Sequence, residues 1–64
     1  MKVISSKIKT INGTDYNIIK GWAPKGFSPT QYKSEVESFG RELVHIQKLS
    51  GDKSGNVYDV IVTI

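Results

Sequence analysis

The sequence predicts an α+β domain with the element order β-β-α-β-β, in which one mostly antiparallel four-stranded sheet carries a single helix on one face. Three observations lead to this prediction. A complete helix-start signal stands near the middle of the chain, a turn signal divides the first half, and apolar and polar residues alternate on both sides of the helix. A chain of 64 residues is one domain at most, so residues 1–64 are assigned to a single unit.

The first half of the chain is predicted to form a β-hairpin. Residues Met1–Ile11 alternate loosely and are rich in valine and isoleucine, which favour strands. Asn12 and Gly13 follow as the strongest short signal for a hairpin turn, and Tyr16–Ala23 forms the returning strand. The Pro-Lys-Gly sequence at positions 24–26 then ends the strand pattern.

The helix is predicted from its start signal. Ser28 is the N-cap, Pro29 occupies the first helical position, and Gln31 completes a capping box with Ser28. Phe27 and Tyr32 occupy the two positions of a hydrophobic staple, so the sequence also encodes the angle at which the chain enters the helix.

One apolar stripe runs along the predicted helix. Gly40 is a natural residue to follow the helix end, because it adopts the left-handed conformation without a steric cost, although the pattern also allows the helix to continue further. The stripe follows the 3.6-residue period and consists of Tyr32, Val36, Phe39 and Leu43.

The second half is predicted to hold two further strands, Leu43–Leu49 and Val57–Ile64, joined by residues 51–55. The last strand has apolar residues at both parities, which indicates burial on both faces and a central position in the sheet. The connection places Lys53 and Ser54 after a glycine, as a phosphate-binding loop does. Its spacing and its position between two strands are wrong for such a loop, so we expect a plain hairpin connection.

Two turns compete for the first hairpin, and they distribute its side chains differently because an odd shift in register exchanges the two faces of a strand. A two-residue turn at Asn12 and Gly13 pairs Ile11 with Thr14. It builds a basic and aromatic face from Lys7, Lys9, Tyr16, Ile18, Lys20 and Trp22.

A three-residue loop instead pairs Thr10 with Thr14. It gathers a plain hydrophobic core from Ile4, Ile8, Tyr16, Ile18 and Trp22. Burial of the aromatic rings, at roughly 25 cal/mol per Å², favours this second register.

The composition limits the chemistry that the chain can perform. It has no cysteine, so it forms no disulfide and no thiolate zinc site. His45 is the sole histidine and has no second imidazole to join it at a metal, and no nucleophile, base and orienting group can be named together. We therefore expect a protein that is not an enzyme and that carries no cofactor and no metal.

The charge is modestly basic and unevenly distributed. The formal net charge is +3, with about +5 in residues 1–33 and about −2 in residues 34–64. The N-terminal residues lack the apolar run of a signal peptide, and no segment is long and apolar enough for a bilayer span. We expect a cytoplasmic protein that does not engage a membrane.

The first functional hypothesis is binding of DNA or RNA. Lysines neutralise phosphates and flat rings stack on bases, so a basic and aromatic face of the first hairpin would hold a nucleic acid with little sequence specificity. The candidate residues are Lys7, Lys9, Tyr16, Lys20, Trp22 and Lys25.

The second hypothesis is binding of a protein partner or self-association as a homo-oligomer, as an accessory or inhibitory module encoded by a phage or mobile element would do. One helix cannot cover both faces of a four-stranded sheet, so the other face needs a partner. Asp59 interrupts an apolar strand and is expected to face Lys48 or Gln47 at such an interface. The candidate residues are Ile19, Val57, Asp59 and Ile61.

Overall fold

The computed structural model describes all residues, 1–64, and contains four strands and one helix in the predicted order. The strands are β1 (Lys2–Ile11), β2 (Thr14–Pro24), β3 (Leu43–Gly51) and β4 (Gly55–Thr63), and the helix α1 spans Pro29–Ser38. All three strand pairs are antiparallel, and the order across the sheet is β1-β2-β4-β3. The predicted α+β architecture is confirmed, with β4 as an inner strand.

The first hairpin turns through two residues. Asn12 and Gly13 have φ angles of 51° and 79°, and Ile11 pairs with Thr14. A type I′ turn needs two consecutive residues with positive φ, a conformation that asparagine and glycine adopt at low cost. The expected three-residue loop is therefore wrong, and so is the core that it would have gathered from Ile4, Ile8, Tyr16, Ile18 and Trp22.

Hydrophobic sorting failed in this hairpin because the helix does not lie over its outer strand, β1. The helix approaches β3, at the far side of the sheet, and β1 is exposed along its whole length. Ile8 is 69% exposed. Without an apolar layer above β1, no burial energy is available to shift the register, so the turn residues determine it.

The helix begins at the predicted residues, with one of the two bonds of the predicted capping box. The Ser28 hydroxyl accepts a hydrogen bond from the Gln31 backbone N–H at 3.2 Å, and Pro29 occupies the first turn. The rings of Phe27 and Tyr32 lie with their centroids 5.6 Å apart, which forms the hydrophobic staple. Burial of the Tyr32 phenol, and then the nearby charge of Glu35, raise its pKa above the usual value.

The helix ends at a glycine in the left-handed conformation. Gly40 has φ 78°, its N–H donates to the Glu37 carbonyl at 3.0 Å, and the Arg41 N–H donates to the Val36 carbonyl at 3.3 Å. This pair of bonds is a Schellman motif, which closes the helix and starts a new direction. Leu43 accordingly begins β3 and does not extend the helix.

The core lies between α1 and the inner strands. Its four buried hydrophobic residues are Ala23, Tyr58, Val60 and Val62. The partly buried residues that pack around them are Ile19, Phe27, Tyr32, Val36, Leu43 and Ile46. Phe39 was expected in the apolar stripe of the helix, but as the C-cap residue it lies outside the last turn and is 83% exposed.

The connection between β3 and β4 is organised by one carboxylate. Asp52 accepts hydrogen bonds from the Ser54 hydroxyl at 2.7 Å, the Ser54 N–H at 2.8 Å and the Gly55 N–H at 3.2 Å. These donors, the Ser54 hydroxyl first, lower the pKa of the Asp52 carboxyl. The backbone N–H groups of the loop thus bind an internal acid, as expected for a plain hairpin connection.

Replacing Val60 tests the location of the core. Val60 is fully buried, so Val60→Ala should lower the free energy of unfolding by about 2 kcal/mol, from lost burial and the cavity left behind. Val44 is 50% exposed at the edge of the sheet, and Val44→Ala should change stability by less than about 0.5 kcal/mol. Urea unfolding followed by Trp22 fluorescence measures both, and equal losses would contradict the described core.

Candidate functional site

One face of the sheet carries no helix, and we call it the open face. It collects the side chains that the strand register places opposite to the core. Its members are Lys2, Ser5, Lys7, Lys9 and Ile11 from β1; Thr14, Tyr16, Ile18, Lys20 and Trp22 from β2; Val57, Asp59, Ile61 and Thr63 from β4; and His45, Gln47 and Ser50 from β3.

Five of the six residues predicted to contact a nucleic acid lie together on the open face. The two-residue turn places Lys9 directly opposite Tyr16, and Lys7 opposite Ile18. Lys20 and Trp22 follow at alternate positions of β2, so they project from the same side of the sheet.

Lys25 is the exception among these six residues. It follows β2 at the end of the sheet, where its backbone N–H donates to the Ser54 carbonyl at 3.2 Å. Its ammonium group lies 3.4 Å from the Asn56 side-chain oxygen, and Asn56 belongs to the helix-covered face. Lys25 is therefore not part of the open face.

The residues predicted for a protein interface divide between the two faces. Val57, Asp59 and Ile61 lie on the open face, with Ile61 opposite Ile18. Ile19 pairs with Val60 and packs against the core beneath the helix, so its predicted place on the uncovered face is wrong. The reason is again the register, since neighbouring residues of one strand point to opposite faces.

Asp59 is half-buried and lies between two polar neighbours. It pairs with Lys20 on β2 and with Gln47 on β3, while Lys48 lies opposite Tyr58 on the other face. A shallow depression of about 370 Å³ on this part of the face is bordered by Lys7, Lys20 and Asp59.

Lys2 belongs to the open face although the sequence pattern did not place it there. Strict alternation from Lys7 and Lys9 would put the even-numbered Lys2 on the opposite side of β1. A β-bulge between Val3 and Ser5 shifts the alternation by one residue, and Lys2 consequently pairs with Trp22. Nothing in the local sequence marks this bulge.

The lysines of the open face have no acidic partners within ion-pair distance. The one ion pair of the chain joins Lys33 and Glu37 on the exposed side of the helix, at 3.9 Å. Asp15 lies on the other face of the hairpin, where it accepts a hydrogen bond from the Thr10 hydroxyl. The cations on the open face are therefore free to bind an external anion.

Trp22 rests against the backbone of the adjacent strand. A side chain added at Gly55 would bring its Cβ to 2.6 Å from the indole Cζ2, and it would also collide with the Ala23 carbonyl oxygen. The absence of a side chain at Gly55 thus allows the indole to lie flat along the sheet. One side of the ring is packed and the residue as a whole is half-buried.

The structure brings no set of metal-ligating side chains together. No three side chains among histidine, aspartate and glutamate come together as metal ligands would. His45 stands opposite Ile61 at the edge of the open face. The ten-residue helix is too short to cross a bilayer.

The chain matches no protein-family model, no curated protein and no solved structure.

A substitution at Gly55 tests the position of the indole. Gly55→Ala should push Trp22 away from β4, increase quenching of its fluorescence by acrylamide, and cost about 1–3 kcal/mol of stability through overpacking. Gly13→Ala is the control. It strains a left-handed position, but its Cβ would meet open space, so quenching of the folded protein should stay unchanged. Unaltered quenching in Gly55→Ala would contradict the described packing of Trp22.

Proposed function

We propose that this protein binds single-stranded nucleic acid along the open face of its sheet. The observation that carries the proposal is the register of the first hairpin. By pairing Ile11 with Thr14, it places three lysines and two aromatic rings on the one face that the helix leaves uncovered.

The distribution of charge supports an anionic ligand. The open face holds Lys2, Lys7, Lys9 and Lys20 against Asp59 alone, which is a formal excess of three positive charges. The whole chain has a formal net charge of +3, so the remainder of the molecule is formally neutral. A positive field confined to one face favours and orients an anion that approaches it.

The arrangement of the side chains supports a nucleic acid over a simple anion. Three of the lysines follow the outer strand β1, while Tyr16, Ile18 and Trp22 form a neighbouring row on β2. A ligand that fits this pattern has a continuous line of negative charge along one edge and flat apolar groups along the other. Phosphates and unpaired bases have this arrangement.

A single strand fits the open face better than a duplex does. The helix lies on the opposite face, so no helix projects from the open face to enter a groove. The two rings are half-buried in the surface of the sheet, where exposed bases can stack on them. In a duplex, the bases already stack on each other and their faces are not available.

Low sequence specificity follows from the types of residue. The cations of the open face are all lysines, which bind phosphates as point charges, and Arg41 lies elsewhere. Stacking on tyrosine and tryptophan accepts any base.

Oligonucleotide titration at several salt concentrations tests the proposal. Binding of a single-stranded oligothymidylate should change Trp22 fluorescence and weaken with salt. The triple variant Lys7→Gln, Lys9→Gln and Lys20→Gln should reduce the slope of log K against log salt by about 2, since each phosphate contact on a single strand contributes about 0.7. A duplex of the same length should bind more weakly.

A charge-matched variant is the control. Lys25→Gln, Lys48→Gln and Lys53→Gln removes three positive charges from outside the open face and should keep most of the affinity. If both triple variants lose affinity equally, attraction by net charge and not the open face explains binding. If the unmodified protein binds neither single strands nor duplexes, the proposal is wrong, and the apolar row of the open face is left as a surface for a protein.

A further inference from the structure

The helix covers only half of its own side of the sheet. It lies over β4 and β3, and the core beneath it reaches Ile19 and Ala23 of β2, whereas β1 has no layer above it. We call this uncovered part the bare half, and it consists of the helix-side residues Val3, Ser6, Ile8 and Thr10 of β1, of Asp15 and Asn17 of β2, and of the exposed side of Ile19.

A groove runs between the bare half and the helix. It has a volume of about 340 Å³, and it is lined by Ile19, Tyr32, Val36, Phe39, Arg41 and Val62. Phe39 forms part of its rim and is 83% exposed, while Ile8 and Val3 on the neighbouring strand are 69% and 56% exposed. Exposed apolar side chains beside an apolar groove are a feature of interaction sites.

The bare half differs from the open face in charge. Its one ionisable residue is Asp15, at the turn end, whereas the open face carries four lysines. A surface without cations does not attract a nucleic acid, and away from Asp15 it can be buried against another protein without desolvating a charge.

The chain also needs additional buried surface. Only six of its 64 residues are buried, it has no cysteine, and no three metal-ligating side chains come together. A domain this small that has neither a disulfide nor a structural metal site usually gains stability from association.

We propose that the bare half is the interface of a homodimer, formed face to face with the bare half of a second copy around a two-fold axis parallel to the strands. The geometry favours a second copy over another partner because of the layer thickness. A helix is about 10 Å across, and packed sheets lie about 10 Å apart. The β1–β2 edge of one copy can therefore lie in the same layer as the helix of the other, over the bare half.

The charges at the margin of the bare half are complementary in this arrangement. Asp15 and Arg41 lie at the same end of the molecule: the Ile64 N–H donates to the Asp15 carbonyl at 3.4 Å, and Glu42, next to Arg41, exchanges hydrogen bonds with Thr63. Neither Asp15 nor Arg41 has an ion pair within the chain. An axis parallel to the strands keeps this end of both copies together, so Arg41 of each copy comes to the side of Asp15 of the other.

The dimer leaves both open faces on its outside. It is thus compatible with the proposed function and independent of it, and its test needs no nucleic acid.

Sedimentation equilibrium on the full chain, from micromolar to hundreds of micromolar protein, measures the association. We expect a mass twice that of the 7.1 kDa chain at the higher concentrations. Ile8→Lys places one lysine from each copy at the centre of the interface, and it should weaken the dimer at least about tenfold. The matched control Val44→Lys, an apolar-to-lysine change on the opposite edge strand, should leave the dimer intact.

Reversing the charges at positions 41 and 15 provides a second test of the dimer. Arg41→Asp and Asp15→Arg should each weaken the dimer, and the two substitutions together should restore it, because the pair re-forms with its signs reversed. Circular dichroism shows whether each variant is folded. A protein that is monomeric at every concentration overturns the proposal, as does a dimer that tolerates Ile8→Lys or dissociates equally with Val44→Lys.

Discussion

The pairing of β1 with β2 determines most of what this molecule presents to its surroundings. A register change of one residue would exchange the side chains of a strand between its two faces, and the turn at Asn12 and Gly13 prevents it. With this register, the row that contains Tyr16, Lys20 and Trp22 faces solvent, and the row that contains Ile19 and Ala23 faces the core. Two residues with positive φ thus separate the surface available to a ligand from the surface that stabilises the fold.

The two faces of the sheet have different roles because the helix is placed to one side. The helix completes a small core over the inner strand β4, whose residues Tyr58, Val60 and Val62 are buried. On the far face, half-buried apolar residues alternate with cations that no acid neutralises. Excess positive charge and the principal core are therefore separated by the thickness of the sheet, and repulsion among the lysines is relieved by solvent and by any anion that binds there.

Much of the fold was predictable from local signals. The capped start of the helix at Ser28, its end at Gly40 and the central position of the last strand are encoded by residues within a few positions of each feature. The site was harder to predict, because its composition depends on the register and on a bulge near Ile4 that moves Lys2 across the sheet. Burial energy pointed to the wrong register, because the apolar residues of β1 that it counted have no layer above them.

The irregular outer strand β3 has a consequence for the behaviour of the protein in concentrated solution. Its pairing with β4 is interrupted between Leu43 and His45 and again between Lys48 and Ser50. Such interruptions twist a sheet margin and disrupt the regular row of backbone donors and acceptors that another chain would need to extend the sheet. Fibrils that grow by adding strands at the β3 margin are accordingly disfavoured.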